Sequence, residues 1–187
     1  GAPARLRAMP EQAPRALVVL PKWWGTPSLE HEGWLDDVDL LDEHDVKAVV
    51  DAIGLDGNRL ARDERPLTAD GLFIAHAPQY LAVEADWDHP RMVDDDRAYV
   101  VEVHHGASIA TVITDPDLMS NHGLDEAGNA AWLVALVDEL RQGGPVVFDE
   151  VTHGYAREPS LFALLFRYPL VLATLQALLT AIVLGLA

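Results

Sequence analysis

Short apolar runs alternate with turn-rich polar segments along most of this chain, and the period of each run predicts its element. Residues 16–20 (ALVVL) form an apolar run ended by Pro21, too short for a helix and right for a buried strand. Residues 22–27 (KWWGTP) then read as a loop leaving the sheet. Residues 42–53 have helical period: Asp42 as cap, Val46, Val49, Val50 and Ile53 on one face, and Gly54 as stop. Residues 71–75 read as a strand. Residues 99–103 and 108–114 are rich in β-branched side chains and flank a glycine-containing turn, which predicts an antiparallel hairpin. Asp115-Pro116 closes it, and a loop follows through residues 120–123. Residues 125–141 are helical in period, with Asp125 or a neighbour as cap and Gly143-Gly144-Pro145 as the stop. Val146, Val147 and Phe148 read as one more buried strand. The order strand, loop, helix, strand predicts an α/β fold with a mixed sheet. In it, residues 109–114 and 146–148 are neighbouring inner strands, with helix 126–141 across them. Ligands in such sheets bind beyond the carboxyl ends of the strands, here Asp115 and Asp149.

The final segment breaks this rhythm. Residues 170–187 (LVLATLQALLTAIVLGLA) carry no charge, and only Thr174, Gln176 and Thr180 are polar. A polar stripe at helical period is missing, which favours a transmembrane helix over a core helix. Pro169 suits its first turn, and Arg167 and Tyr168 suit an interface. The chain thus divides into a soluble α/β domain, residues 1–158, and a linker with a transmembrane helix, residues 159–187. The opening at Gly1 reads as a cut from a longer protein, with the N-terminal part of the domain missing.

Charge and cysteine content narrow the function. Thirty acidic residues against 13 Lys and Arg give a formal charge of −17, opposite to the footprint of a nucleic-acid binder. No cysteine is present, which excludes disulfides, thiolate metal sites and cysteine nucleophiles. No dinucleotide fingerprint, phosphate-binding loop or nucleophile elbow occurs. Eight histidines raise zinc, but no paired HExxH spacing exists, and no metal or other cofactor is expected.

Two clusters remain as candidate chemistry. The first is FDEVTHGY, residues 148–155, where Asp149, Glu150 and His153 follow the last expected strand. A carboxylate three residues from an imidazole suits an acid–base pair or metal ligation, and equally suits hydrogen bonds that tie a loop. The second is TDPDLMSNHGLDEAGNAA, residues 114–131, where Asp115, Asn121 and Asn129 face a shared crevice or serve as turn and capping residues. Trp23, Trp24 and Trp34 sit in a proline- and acid-rich segment and line a groove, pack a core or anchor at an interface.

These stretches resemble a bacterial family, domain of unknown function 4350. Its pattern is a strand ending in Ser/Thr-Asp, a nearby asparagine, an asparagine opening a helix, a strand ending in Asp-Glu with a following His-Gly, and a membrane span. Asp115, Asn121, Asn129, Asp149, Glu150, His153 and Gly154 occupy those places. The likeness covers residue 99 to the C-terminus, less firmly residues 15–27, and leaves residues 28–98 unplaced. It implies a sandwich similar to class I glutamine amidotransferase-like domains, in a bacterial inner-membrane protein with an extracytoplasmic soluble domain. Such amidotransferases use a cysteine nucleophile, which this chain lacks, so the resemblance implies no amidotransferase activity. The leading expectation is a membrane-anchored ligand- or partner-binding or scaffolding domain. Asp115, Asn121, Asn129, Asp149, Glu150 and His153 would form its ligand site. Its partners would be membrane lipid, through the C-terminal helix, and a membrane protein. The alternatives are a membrane-tethered hydrolase using Glu150 and His153, with or without a metal, and a structural subunit whose acidic face and Trp segment meet a partner.

Overall fold

A computed structural model describes residues 13–28, 30–31, 34–82, 90–149 and 170–186. The chain forms two compact units, Gly1–Val146 and Val147–Ala187. In the first, the described residues form ten strands and few helices. β1 (Arg15–Val19) leads into β2 (Trp23–Pro27), β3 (Leu35–Leu40) and helix α1 (Glu43–Ala52). β4 (Leu60–Arg62), β5 (Leu67–Ala69), β6 (Leu72–Ile74) and β7 (Gln79–Ala82) follow, then β8 (Pro90–Asp94), β9 (Arg97–His105) and β10 (Ser108–Ile113). A 3-10 turn (Pro116–Leu118), a short helix α2 (Asn121–Leu124) and helix α3 (Ala127–Arg141) complete it. The second unit contains helix α4 (Leu170–Leu186).

The main sheet is mixed. β1 runs parallel to β10 with Arg15 opposite Ile109 and Val19 opposite Ile113, and β10 is antiparallel to β9. β9 is the spine. Val100 and Val101 pair with both β8 and β10, so those strands lie on opposite edges. Ala98 pairs with both β7 and β8, so β7 shares the β10 edge. β10 and β7 therefore line one edge of β9 end to end, and the carboxyl end of β10 meets the start of β7. Alternation along the strands supplies two apolar faces. Val18 and Leu20, with Leu81, Val101 and Val112, pack on Val46 and Val50 of α1 and on Ile53 at its C-cap. Leu17, Val19, Tyr99 and Ile113 face the other way. They join Trp132, Leu133, Leu136 and Leu140 of α3 and the small β5–β6 hairpin. The result is a sheet layered between helices.

Several sequence expectations hold: strand β1, helix α1 with Asp42 accepting from the His44 amide at 2.8 Å, strand β6, and the β9–β10 hairpin. Others are corrected. Residues 22–27 are not a loop; β2 pairs with β3 in a separate two-stranded sheet. The acidic run LDDVDL hid the second strand from an apolar-pattern reading. Glu126, not Asp125, takes the cap position of α3, without a side-chain bond. Residues 120–123 lead into helix α2 rather than a loop, with Ser120 accepting from the Gly123 amide at 3.0 Å.

Residues 146–148 form no strand, and Phe148 is 76% exposed. The reason is topological. β10 already has β1 on one edge and β9 on the other, so no edge remains for a strand beside it. The βαβ unit expected there is absent, and the parallel neighbour of β10 comes from the start of the chain. The C-terminal segment is a continuous helix over residues 170–186, as expected. Its 17 residues span about 25 Å at 1.5 Å per residue, against a hydrocarbon core of about 30 Å. No helix among the described residues is long and apolar enough to cross a membrane.

Two buried hydroxyls, those of Tyr99 and Thr111, lack a hydrogen-bond partner among the described residues, and the first has a measurable consequence. The Tyr99 hydroxyl is buried without such a partner, and burial pushes its pKa up to about 12. Removing it strands no other group. Tyr99→Phe is therefore expected to leave stability unchanged or raise it by about 1 kcal/mol in urea melts. A loss above about 1 kcal/mol would reveal an ordered partner for the hydroxyl.

Candidate functional site

The carboxyl ends of the two parallel strands, β1 and β10, lie side by side, and the chain beyond each delivers a charged side chain. Pro21 ends the first, and Lys22 follows; Thr114 and Asp115 follow the second. Lys22 and Asp115 are completely buried, a costly placement for charges unless each is paired and hydrogen-bonded. Both conditions are met. Lys22 Nζ donates to Asp115 Oδ2 at 2.8 Å, to Asp117 Oδ2 at 2.7 Å and to the His76 carbonyl at 2.6 Å, which uses all three ammonium protons. Asp115 Oδ2 also accepts from the Gln79 amide at 2.7 Å, and Oδ1 accepts from the Asp117 amide at 2.8 Å. Burial pushes the Asp115 carboxyl above the usual carboxylate range, with Lys22 and the two amides pulling against it.

The neighbours extend this network. Gln79, also fully buried, donates to the carbonyls of Thr114 at 2.7 Å and Pro21 at 3.2 Å. Thr114 Oγ1 donates to the Gln79 carbonyl at 2.8 Å, so β7 and β10 are stitched where they abut. Arg62 reaches the Gln79 side-chain oxygen at 2.9 Å and the Leu41 carbonyl at 2.7 Å. The Trp23 indole donates to Asp117 Oδ1 at 2.6 Å, and Lys22 Nζ lies 5.1 Å from its ring centre. The chain enters β2 at Lys22 and leaves β3 at Leu41, whose amide donates to the Lys22 carbonyl at 2.8 Å. The buried charges thus hold the root of the β2–β3 hairpin.

The residues singled out from sequence fall in different places. Asp115 is at the centre of this network. Asn129 is fully buried on α3, accepts from the Phe73 amide at 2.9 Å and donates to the Phe73 and Gly123 carbonyls at 2.8 and 3.0 Å. It clamps β6 to α2. Asn121 opens α2 and is exposed. Asp149 is exposed, belongs to the second unit and follows no strand. Glu150 and His153, with Gly154, lie outside the described residues, as does the expected convergence of Glu150 and His153 with Asp115 or Asn121. Among the described residues, no group of three His, Asp or Glu side chains is placed to hold a metal ion.

Sequence reading missed Lys22, Arg62, Gln79 and Asp117. One signal was available for Lys22: it is the only Lys or Arg between Arg15 and Lys47, and it directly follows an apolar strand. Chemically, the arrangement sequesters its charges and spends them on each other, which suits positioning of the hairpin. No protein-family model matches the chain, and comparison with curated proteins and with solved structures yields no match.

Proposed function

We propose that this protein is a membrane-tethered, non-catalytic domain that binds a partner. The observation that carries the reading is α4. It has no charged residue, and Leu170, Leu172, Leu175, Leu179, Ile182, Val183 and Leu184 are all exposed around it. A helix apolar on several faces is unfavourable in water and is matched by lipid or by a protein core. Beyond the Arg167-Tyr168-Pro169 junction, a second apolar stretch, FALLF at residues 162–166, precedes α4 in sequence. The absence of cysteine and the mutual engagement of the buried charges support binding over catalysis. The resemblance to domain of unknown function 4350 supports placement in a bacterial inner membrane, with the soluble domain extracytoplasmic. It also supports the finer reading of the layered sheet as a class I glutamine amidotransferase-like scaffold without that activity.

The test is extraction of membranes from cells producing the full chain. The protein should stay in the pellet through high salt and alkaline carbonate, and leave it only with detergent. Release by salt alone would overturn the tether. A reporter fused to the soluble domain and active only in the cytoplasm would overturn the sidedness.

A further inference from the structure

The β2–β3 hairpin stands outside both core clusters, and its two faces differ in chemistry. Side chains directly opposite in an antiparallel pair share a face. Trp24 lies opposite Asp39 and Thr26 opposite Asp36, which puts two carboxylates and a hydroxyl on one face beside an exposed indole. Trp23 lies opposite Leu40 and Pro27 opposite Leu35. Gly25 sits between them on this second face, and a Cβ there would lie 3.0 Å from Leu35 Cβ and 3.3 Å from Val38 Cγ2. Leu35 and Val38 therefore lean together over a glycine floor. The bulge that allows this places Asp37 at a φ of 48°, in the left-handed region. Leu35 and Val38 are 54% and 53% exposed, and Trp34 beside them is 69% exposed. An apolar face of this kind on a charged surface marks an interaction site.

The charge of the hairpin as a whole identifies the occupant. From Trp23 to Val46 the sequence contains eight acidic residues and no Lys or Arg. Glu30, Asp36, Asp37 and Asp39 all lie exposed on the hairpin, Asp36 and Asp39 on the face opposite Leu35, and across a ribbon this thin their charge still acts within about one Debye length. A second copy would bring the same acidic hairpin and another −17 charge, and an anionic lipid surface would be repelled likewise. The root is preorganised by the Lys22, Asp115 and Arg62 contacts, so the face costs little ordering to bind.

We propose that the β2–β3 hairpin is the docking arm of this protein, and that its occupant is a cationic polypeptide segment combining Lys or Arg with apolar side chains. This names the partner class for the binding function above and rests on that reading. The probe is a synthetic peptide of alternating Lys and Leu, titrated against the full chain in mild non-ionic detergent and read by tryptophan fluorescence.

Leu35→Ser/Val38→Ser should weaken binding about tenfold, as loss of a small apolar anchor cluster does. Asp36→Asn/Asp39→Asn should weaken it about fivefold more than Asp56→Asn/Glu64→Gln, an equal charge change at exposed positions off the hairpin. Circular dichroism checks that each variant is folded. A Lys–Ser peptide should bind about tenfold more weakly than Lys–Leu. Three results would overturn the docking arm: no binding, equal effects of the hairpin and control variants, or a dimer in sedimentation that Leu35→Ser/Val38→Ser abolishes. Binding that survives while the chain proves extractable by salt would leave the arm standing and remove only the tether.

Discussion

Lys22→Met is expected to lower unfolding free energy by about 3–5 kcal/mol, the cost of breaking a buried ion pair from one side. The ammonium satisfies two carboxylates and a carbonyl, and methionine fills its volume but donates nothing. Asp115 would remain buried without its counter-charge. The loss should also depend on pH. Burial already raises the Asp115 pKa in the folded state, and removing Lys22 raises it further. A raised folded-state pKa favours the native state while the carboxyl is protonated. That contribution is complete below the unfolded pKa and is lost as pH rises through the folded one. The variant should therefore be closest to wild type at acid pH and furthest from it at neutral pH and above. Denaturant melts across that range measure both effects. Lys22→Met/Asp115→Asn should recover at least about 1 kcal/mol at neutral pH, because the uncompensated charge is gone. A neutral-pH loss below about 1 kcal/mol, or one that grows toward acid pH, would show that the pair does not support the hairpin root.

Gly123→Ala and Gly128→Ala should each cost about 3 kcal/mol or more, through clashes that no side-chain rotation relieves. A Cβ on Gly123 would lie 1.6 Å from the Asp117 carbonyl oxygen, and one on Gly128 would lie 1.8 Å from that of Gly71. Both obstacles are backbone, so α2 or the first turn of α3 must move. Helix propensity alone predicts the opposite sign, a gain of up to about 1 kcal/mol for alanine over glycine in a helix. Thermal and urea melts thus decide between local preference and tertiary contact. A gain in either variant would mean that the close approaches to the 3-10 turn and to the β5–β6 turn do not exist in solution. The same region is clamped by Asn129, so disruption should spread to β6.

Where one residue's neighbours in sequence are also its neighbours in space, the chain announces its structure. Asp42 ahead of an apolar face at helical spacing could only open a helix. The valine-rich runs around Gly106 could scarcely avoid a hairpin, because residues 105 and 108 pair across a two-residue turn. The uncharged tail is a helix for the same local reason. Asp115 and Asn129 were legible only as candidates, lining a crevice or serving as turn and capping residues. The identity of their partners was not readable. Lys22 is 93 residues from Asp115, and Phe73 is 56 from Asn129. The pairing of β1 with β10 brings Lys22 to Asp115, and the packing of the β5–β6 hairpin against α3 brings Phe73 to Asn129. The apparent strand at residues 146–148 shows the converse. Its apolar residues satisfy every local rule, but β1 and β9 already pair with β10 along both of its edges. Local pattern determines which elements form, because capping and periodicity act over a few residues. Sheet order, buried charge pairs and the exposed hairpin arise from competition among distant segments for the same edges and the same core.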